Sequence, residues 1–424
     1  MQNKEKMKLN LLILILCSAW SCASQIPETN SNTKIVPNTN LNSTNNGSNF
    51  NAVTNSNSTE SMNFELMDSV VIQSDKLLER KEKYTSDKKV KSISSVGKVQ
   101  PSSEDQKVAN QKVLISTEFT KTKIQSSTQK TQRTPTPEMQ QALDEKVKDM
   151  NEIAPNSFEY HLYNYSSGNY DVSREESLNI IYNQQPGNIE VLKLTSANAI
   201  VKGDTLNAKK HLNQLEFKNL IQKETIDYTA DVLKSAEGNS TLITHGFNDS
   251  YGAYQNQLNK NQQTDIDVIS LDFMQSQSYR DVLTTKGYFI PVQKVVDVNY
   301  LKSFCELNAN KNIAISMTLP KDYLIPLQSK LYTCGLIFEY RESRNDSESA
   351  RLEDLWYNQL NKKVINVYQT SLSNAYAGNY LPMLLFLKSY YEQKDDLGNK
   401  EKIEMEIQKV SNKSGKSSSL KKKY

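Results

Sequence analysis

His245-Gly246-Phe247-Asn248-Asp249-Ser250 brings an imidazole, an amide, a carboxylate and a hydroxyl into six consecutive residues. His245 offers a base, Asp249 an acid–base or ion-pairing group, and Asn248 and Ser250 hydrogen-bonding partners. The segment follows Ser-Thr-Leu-Ile-Thr at 240–244, a short apolar run with strand character. It therefore falls at the C-terminal end of a strand, where open α/β sheets take ligands. Asn248 or Asp249 would serve equally well as the cap of a following helix. Serine acyl transfer calls for a Gly-x-Ser-x-Gly elbow, and the sequence contains none. A phosphate loop is excluded too, because the turn has a single Gly and no Lys. His161 and His211 fall in helical stretches and read as surface or packing residues. We therefore expect a ligand site at His245, Asn248, Asp249 and Ser250, with no catalytic residue, no metal and no cofactor.

Those residues need a scaffold, and the chain around them alternates. Strand character recurs at Asp267–Phe273, Asn312–Leu319 and Gly335–Arg341, with helical stretches at Tyr251–Leu258, Tyr300–Leu307 and Tyr323–Thr333. This pattern predicts β-α-β units with right-handed crossovers. The nearly continuous apolar strands predict a sheet covered on both faces. The expectation is a small, mostly parallel α/β domain over 240–341.

Several segments there share a pattern. They are Leu242 to Tyr251, Asp267-Val268-Ile269-Ser270-Leu271, Tyr300-Leu301 through Cys305-Glu306, Asn310 to Ile313, Thr318-Leu319-Pro320 and Gly335 to Tyr340. Together they resemble the soluble C-terminal region of membrane proteins related to protein O-mannosyltransferases. The resemblance implies the fold of that soluble region and no transferase activity, since this chain lacks the membrane helices and the catalytic half.

Ahead of the α/β segment, Thr136-Pro137-Glu138 opens a helix, with a Thr cap and Pro in the first turn. Leu192, Thr195, Ser196 and Ala199, then Gly203-Asp204, then Ala208, Leu212 and Leu215 follow the offsets of a tetratricopeptide unit. Leu178 and Ile181 stand 34 residues before Leu212 and Leu215. Residues 137–236 thus resemble degenerate tetratricopeptide-like hairpins, the alternative being a plain helical bundle. Past the α/β segment, Ser349–Tyr368 is amphipathic, and Tyr380–Tyr391 and Lys400–Val410 form a further hairpin. Helical hairpins are thus expected over 349–411, with a basic, solvated tail over 412–424. The fold class is α/β plus all-α.

The N-terminus carries an address. Lys4, Lys6 and Lys8 precede the apolar run Leu9–Cys17, too short to span a bilayer. Ser18-Ala19-Trp20-Ser21-Cys22 resembles a bacterial lipobox. That resemblance implies a signal peptide over 1–21 and lipidation at Cys22, the alternative being an ordinary signal peptide cut near Ala23. From Asn30 to Thr59, 11 residues are Asn and 10 are Ser or Thr. Such a stretch buries too little apolar surface to offset its ordering entropy. Residues 22–136 are expected to be a disordered tether.

The 424 residues carry 51 basic and 48 acidic groups, a net charge of +3, which speaks against a nucleic-acid partner. Three His and four Cys, with no Cys-x-x-Cys, speak against zinc or redox chemistry. Cys305 and Cys334 are left as either a disulfide or two buried thiols. The expected protein is a lipid-anchored, periplasm-facing lipoprotein of the cell envelope. It would act as a non-enzymatic scaffold for an envelope protein partner, or as an accessory ligand-binding factor in envelope glycan or glycoprotein assembly.

Overall fold

The computed structural model describes residues 103–343 and 348–417. The expected signal peptide, Cys22, the expected tether as far as residue 102 and the end of the basic tail lie outside the described residues.

The first described element corrects the sequence expectation. Residues 103–127, expected to be part of a disordered tether, form a helix, α1 (Ser103–Ser127). An isolated helix of this composition is marginal in water, so docking must stabilise it. Ile115 and Phe119 bury against Leu143, Met150 and Tyr163, and the Phe119 ring stacks on Tyr163 at 4.2 Å. The connector to the next helix is also held. Arg133 N–H donates to Val296 O at 2.7 Å, and Val298 N–H to Thr131 O at 3.1 Å.

Six helices follow: α2 (Pro137–Ile153), α3 (Phe158–Ser167), α4 (Glu175–Gln184), α5 (Ile189–Val201), α6 (Thr205–Phe217) and α7 (Lys223–Ser235). Thr136 caps α2 by accepting Met139 N–H at 3.3 Å, with Pro137 in the first turn. Gly203, at φ +70°, turns the chain between α5 and α6. Leu192, Ala208, Leu212 and Leu215 are buried where those two helices meet.

The sheet has five strands in the order β2-β1-β3-β5-β4. These are β1 (Thr241–Thr244), β2 (Asp267–Ser270), β3 (Ile313–Ser316), β4 (Leu331–Cys334) and β5 (Ile337–Tyr340). The connecting helices are α8 (Gly246–Lys260), α9 (Gln277–Thr285) and α10 (Val298–Leu307). β1 pairs in parallel with β2 and β3, but β5 runs antiparallel to both β3 and β4. The sheet is therefore mixed rather than mostly parallel. The helix expected over Tyr323–Thr333 stops early, because Leu331–Cys334 is a strand joined to β5 through Gly335-Leu336. Gly335, at φ +59°, supplies the backbone that a two-residue hairpin requires. A Cβ there would also run into the Ser235 hydroxyl.

The amphipathic stretch Ser349–Tyr368 is not one helix. α11 (Glu348–Asp354) continues as a π-turn over Leu355–Gln359, and the chain breaks before α12 (Lys363–Asn366). Buried Asp231 explains the break. Its carboxylate accepts Asn361 N–H at 2.8 Å and Lys362 N–H at 2.9 Å, in place of helical acceptors. α13 (Ser371–Ala377), α14 (Leu381–Gln393) and α15 (Leu397–Lys413) complete the chain. The start of the basic tail is not solvated: Ser414 is buried, and Lys413 Nζ donates to Tyr368 O. One contiguous hydrophobic cluster runs from Leu192 in α5 through the sheet to Val410 in α15.

Candidate functional site

β1 lies between β2 and β3, and the chain leaves it in one direction for β2 and returns on the other side for β3. Its C-terminal end is thus a topological switch point, the usual ligand crevice of such sheets. His245 to Ser250 sits at that end.

Each side chain of the turn has a defined neighbour. His245 is the N-cap residue of α8, in extended backbone, and gives that helix no side-chain cap. Its Nε2 lies 2.5 Å from the carbonyl oxygen of Thr318. A carbonyl only accepts, so Nε2 carries the hydrogen and Nδ1 is a lone pair, buried without a partner. Burial, reinforced by the charge of Arg133, lowers the imidazole to about 4. Asp249 accepts three donors: His245 N–H at 3.2 Å, Ser316 Oγ at 3.1 Å and Thr318 Oγ1 at 2.8 Å. The first holds the backbone at the start of α8. Burial raises its carboxyl to about 6 despite those bonds. Ser250 Oγ is 3.0 Å from both Thr244 Oγ1 and Ser270 Oγ. It belongs to a hydroxyl cluster beneath the sheet end and not to the His245 network. Asn248 is half-buried. His245, Asn248 and Asp249 line a small cavity of about 40 Å³ with Arg133 and Thr318.

A larger cavity of about 240 Å³ opens beside it, sharing Arg133, Gly246, Phe247 and Ser127 with the small one. Its floor comes from the strand ends: Gly246, Phe247, Tyr251, Ser270, Asp272 and Phe273. Its roof comes from the helical array: Phe119, Lys123, Tyr163, Tyr165, Tyr170, Glu190, Lys193 and Leu194. The walls are largely aromatic, with charge placed at a few points. Lys123 Nζ donates to Ser166 O at 2.7 Å and Asn169 Oδ1 at 2.8 Å. Burial lowers its ammonium to about 8, against the pull of Glu190. Lys193 pairs with Glu190 at 3.4 Å and lies 5.3 Å from the Phe247 ring centroid. Gly246, at φ +68°, turns its N–H to Asp272 Oδ2 at 2.5 Å. Concave, with seven aromatic and five charged residues in its lining, the space has the character of a small-molecule site.

No family model, no curated protein and no solved structure matches this chain.

Sequence reasoning located the strand end and missed most of the cavity. Asp272, Phe273 and Tyr251 were assigned to elements without a role. Phe119, Lys123 and Arg133 lay in the stretch expected to be tether. The spacing of Ile115 and Phe119 was the only signal, and it is diluted by exposed Val108, Val113 and Leu114 on the same helix. His161 Nδ1 meets Ser177 Oγ at 3.2 Å, and buried His211 packs edge-on against Tyr182. Cys305 and Cys334 are both buried and free. Among the described residues, no helix is long and apolar enough to cross a membrane, and no group of His, Cys, Asp and Glu is arranged to hold a metal.

Proposed function

We propose that this chain is a non-catalytic, ligand-binding lipoprotein of the cell envelope, anchored through Cys22 and facing the periplasm. Its ligand occupies the cavity between the helical array and the sheet end. The observation that carries this reading is the roughly 240 Å³ aromatic cavity at the switch point of the sheet. A binding role fits better than catalysis because His245 and Asp249 are tied to the end of β3, and Ser250 is bonded elsewhere. The resemblance to the soluble region of proteins related to O-mannosyltransferases supports a place in envelope glycan or glycoprotein assembly. The lipobox-like segment supports the anchor.

The helices over 137–236 are read as degenerate tetratricopeptide-like hairpins, supported by buried Ala208, Leu212 and Leu215 at the expected offsets. A protein-docking role for them has less support. α8 already packs on α6 and α7, and Asn256 Nδ2 donates to Ile226 O at 2.8 Å and Thr229 Oγ1 at 2.9 Å.

The test is native mass spectrometry of the full-length protein purified from its own membranes, beside Leu194→Trp, which fills the cavity from α5. The expected result is a stoichiometric small molecule on the wild type that is absent from a Leu194→Trp variant of unchanged melting temperature. A wild type that carries nothing and is not stabilised by any member of a broad metabolite panel would overturn the reading.

A further inference from the structure

Arg133 is a buried cation with too few partners. It is 9% exposed and lines both cavities. Its ion-pair partner is Asp272, at 3.9 Å from Nη1, the outer limit of such a contact. Asp272 is also engaged by Gly246 N–H through its other oxygen. The Tyr323 ring lies 5.5 Å from the guanidinium carbon, a cation–π contact. Nε and Nη2 meet no acceptor. These two nitrogens form one edge of the guanidinium, the edge that presents two parallel N–H bonds to a carboxylate. A charged donor left unsatisfied in a dry interior is costly, and such groups mark places where something is missing.

We propose that the ligand of the cavity carries a carboxylate, received by Arg133, with an apolar or aromatic body lying against Tyr251, Phe273 and Phe247. This rests on the ligand-binding reading above. One further observation points the same way. Lys123 and Lys193 add positive charge to the wider cavity, against Glu190 and Asp272. A carboxylate fits better than a phosphate monoester. A single guanidinium is on hand to balance the charge, and the Asp272 carboxylate 3.9 Å from it would repel a dianion more than a monoanion. The free edge is covered from solvent in the structure, so the guanidinium must turn toward the cavity as the ligand enters.

The experiment uses the full-length protein and matched probes, measured by titration calorimetry. Each probe is an aromatic or aliphatic carboxylic acid, with 3-phenylpropanoate as the first, compared with its primary amide and with 2-phenylethyl phosphate. The expected result is that a carboxylate binds at least tenfold more tightly than its amide. Arg133→Gln is expected to bring that ratio to within about twofold. Arg133→Lys, which keeps the charge and loses the fork, is expected to fall between them. Equal affinities of acid and amide for the wild type would overturn the proposal while leaving a ligand-binding cavity in place, and this comparison needs no variant. Tighter binding of the phosphate, or a tenfold ratio that survives Arg133→Gln, would overturn it as well. Failure of acids, amides and phosphate alike to bind would remove the ligand-binding reading and this proposal together.

Discussion

Asp249, in the first turn of α8, accepts the hydroxyl of Thr318 at 2.8 Å across 69 residues of sequence. The same carboxylate holds the backbone N–H of His245, and the His245 ring reaches the Thr318 carbonyl. These contacts lock the ends of β1 and β3 together at one wall of the small cavity. The polar residues that look most chemical in the sequence therefore shape the site, and the aromatic and basic residues around them line it.

The lock has a pH signature. Asp249 titrates near 6 in the fold against an ordinary 3.8, because burial disfavours its charge. Its contribution to stability is full below about pH 4 and is lost as pH rises through about 6. His245 is lowered from 6.5 to about 4 by burial. Its contribution is present above about pH 6.5 and is lost as pH falls through about 4. The two slopes oppose each other, so the wild type should be nearly flat between about pH 4 and 6. Asp249→Asn should leave stability rising with pH across that window, and His245→Gln should leave it falling. Each slope is at most about 1.4 kcal/mol per pH unit. Urea unfolding of the three proteins at intervals from pH 4 to 7 reads this directly, and slopes of the same sign in both variants would be inconsistent with the lock.

Gly252 sets the distance between the sheet domain and the helical array. A Cβ there would stand 2.8 Å from Thr229 Oγ1 and 2.9 Å from Thr225 Cγ2. Alanine is the better helix former by about 1 kcal/mol, yet Gly252→Ala should destabilise by about 1–3 kcal/mol through overpacking. Thermal unfolding should show a melting temperature lower by several degrees, with part of the loss recovered by Thr225→Ser. An unchanged or raised melting temperature would mean that α8 does not press on α7.

α1 should open as a unit. It is tied down by Phe119 on Tyr163 and by Lys123 on Ser166 and Asn169. Phe119→Ala removes a buried ring, a loss of about 3–5 kcal/mol in a rigid core, here confined to one docked helix. Hydrogen exchange should then accelerate across residues 103–127 and leave β1 unchanged. Acceleration spread over the whole chain would show that the helix is part of the global core.

Cys305 and Cys334 should be silent. Burial pushes both thiols well above their ordinary range, which withholds the thiolate. Maleimide should label neither in the native protein and both after denaturation without reductant. Labelling only after reduction would mean that the pair is bonded.

The sequence made the outline of the fold legible wherever periodicity and caps agreed. The Thr136-Pro137 start of α2, the Gly203 turn and the apolar cores of β1, β2 and β3 all fall where residue types place them. It failed where a distant group decides. Leu331–Cys334 is apolar at helical and extended spacing alike. Only pairing with β5 makes it a strand, although Gly335-Leu336 between two apolar runs was a hairpin signal. The break after Gln359 depends on the Asp231 carboxylate, about 130 residues away in the chain. α1 has a composition suited to a tether, and tertiary burial of two residues, Ile115 and Phe119, overrides it. The cavity was hidden for the same reason, since Phe119, Lys123 and Arg133 in its lining belong to that helix and its connector.

The most direct test is an experimental density map of the full-length protein, purified from its own membranes without added ligand, read at the cavity between Tyr251, Phe273 and Arg133. The expected result is density for an organic molecule larger than water, with an oxygen pair against the Arg133 guanidinium. Ordered water alone, or a cavity closed by its own aromatic side chains, would contradict a ligand-binding role.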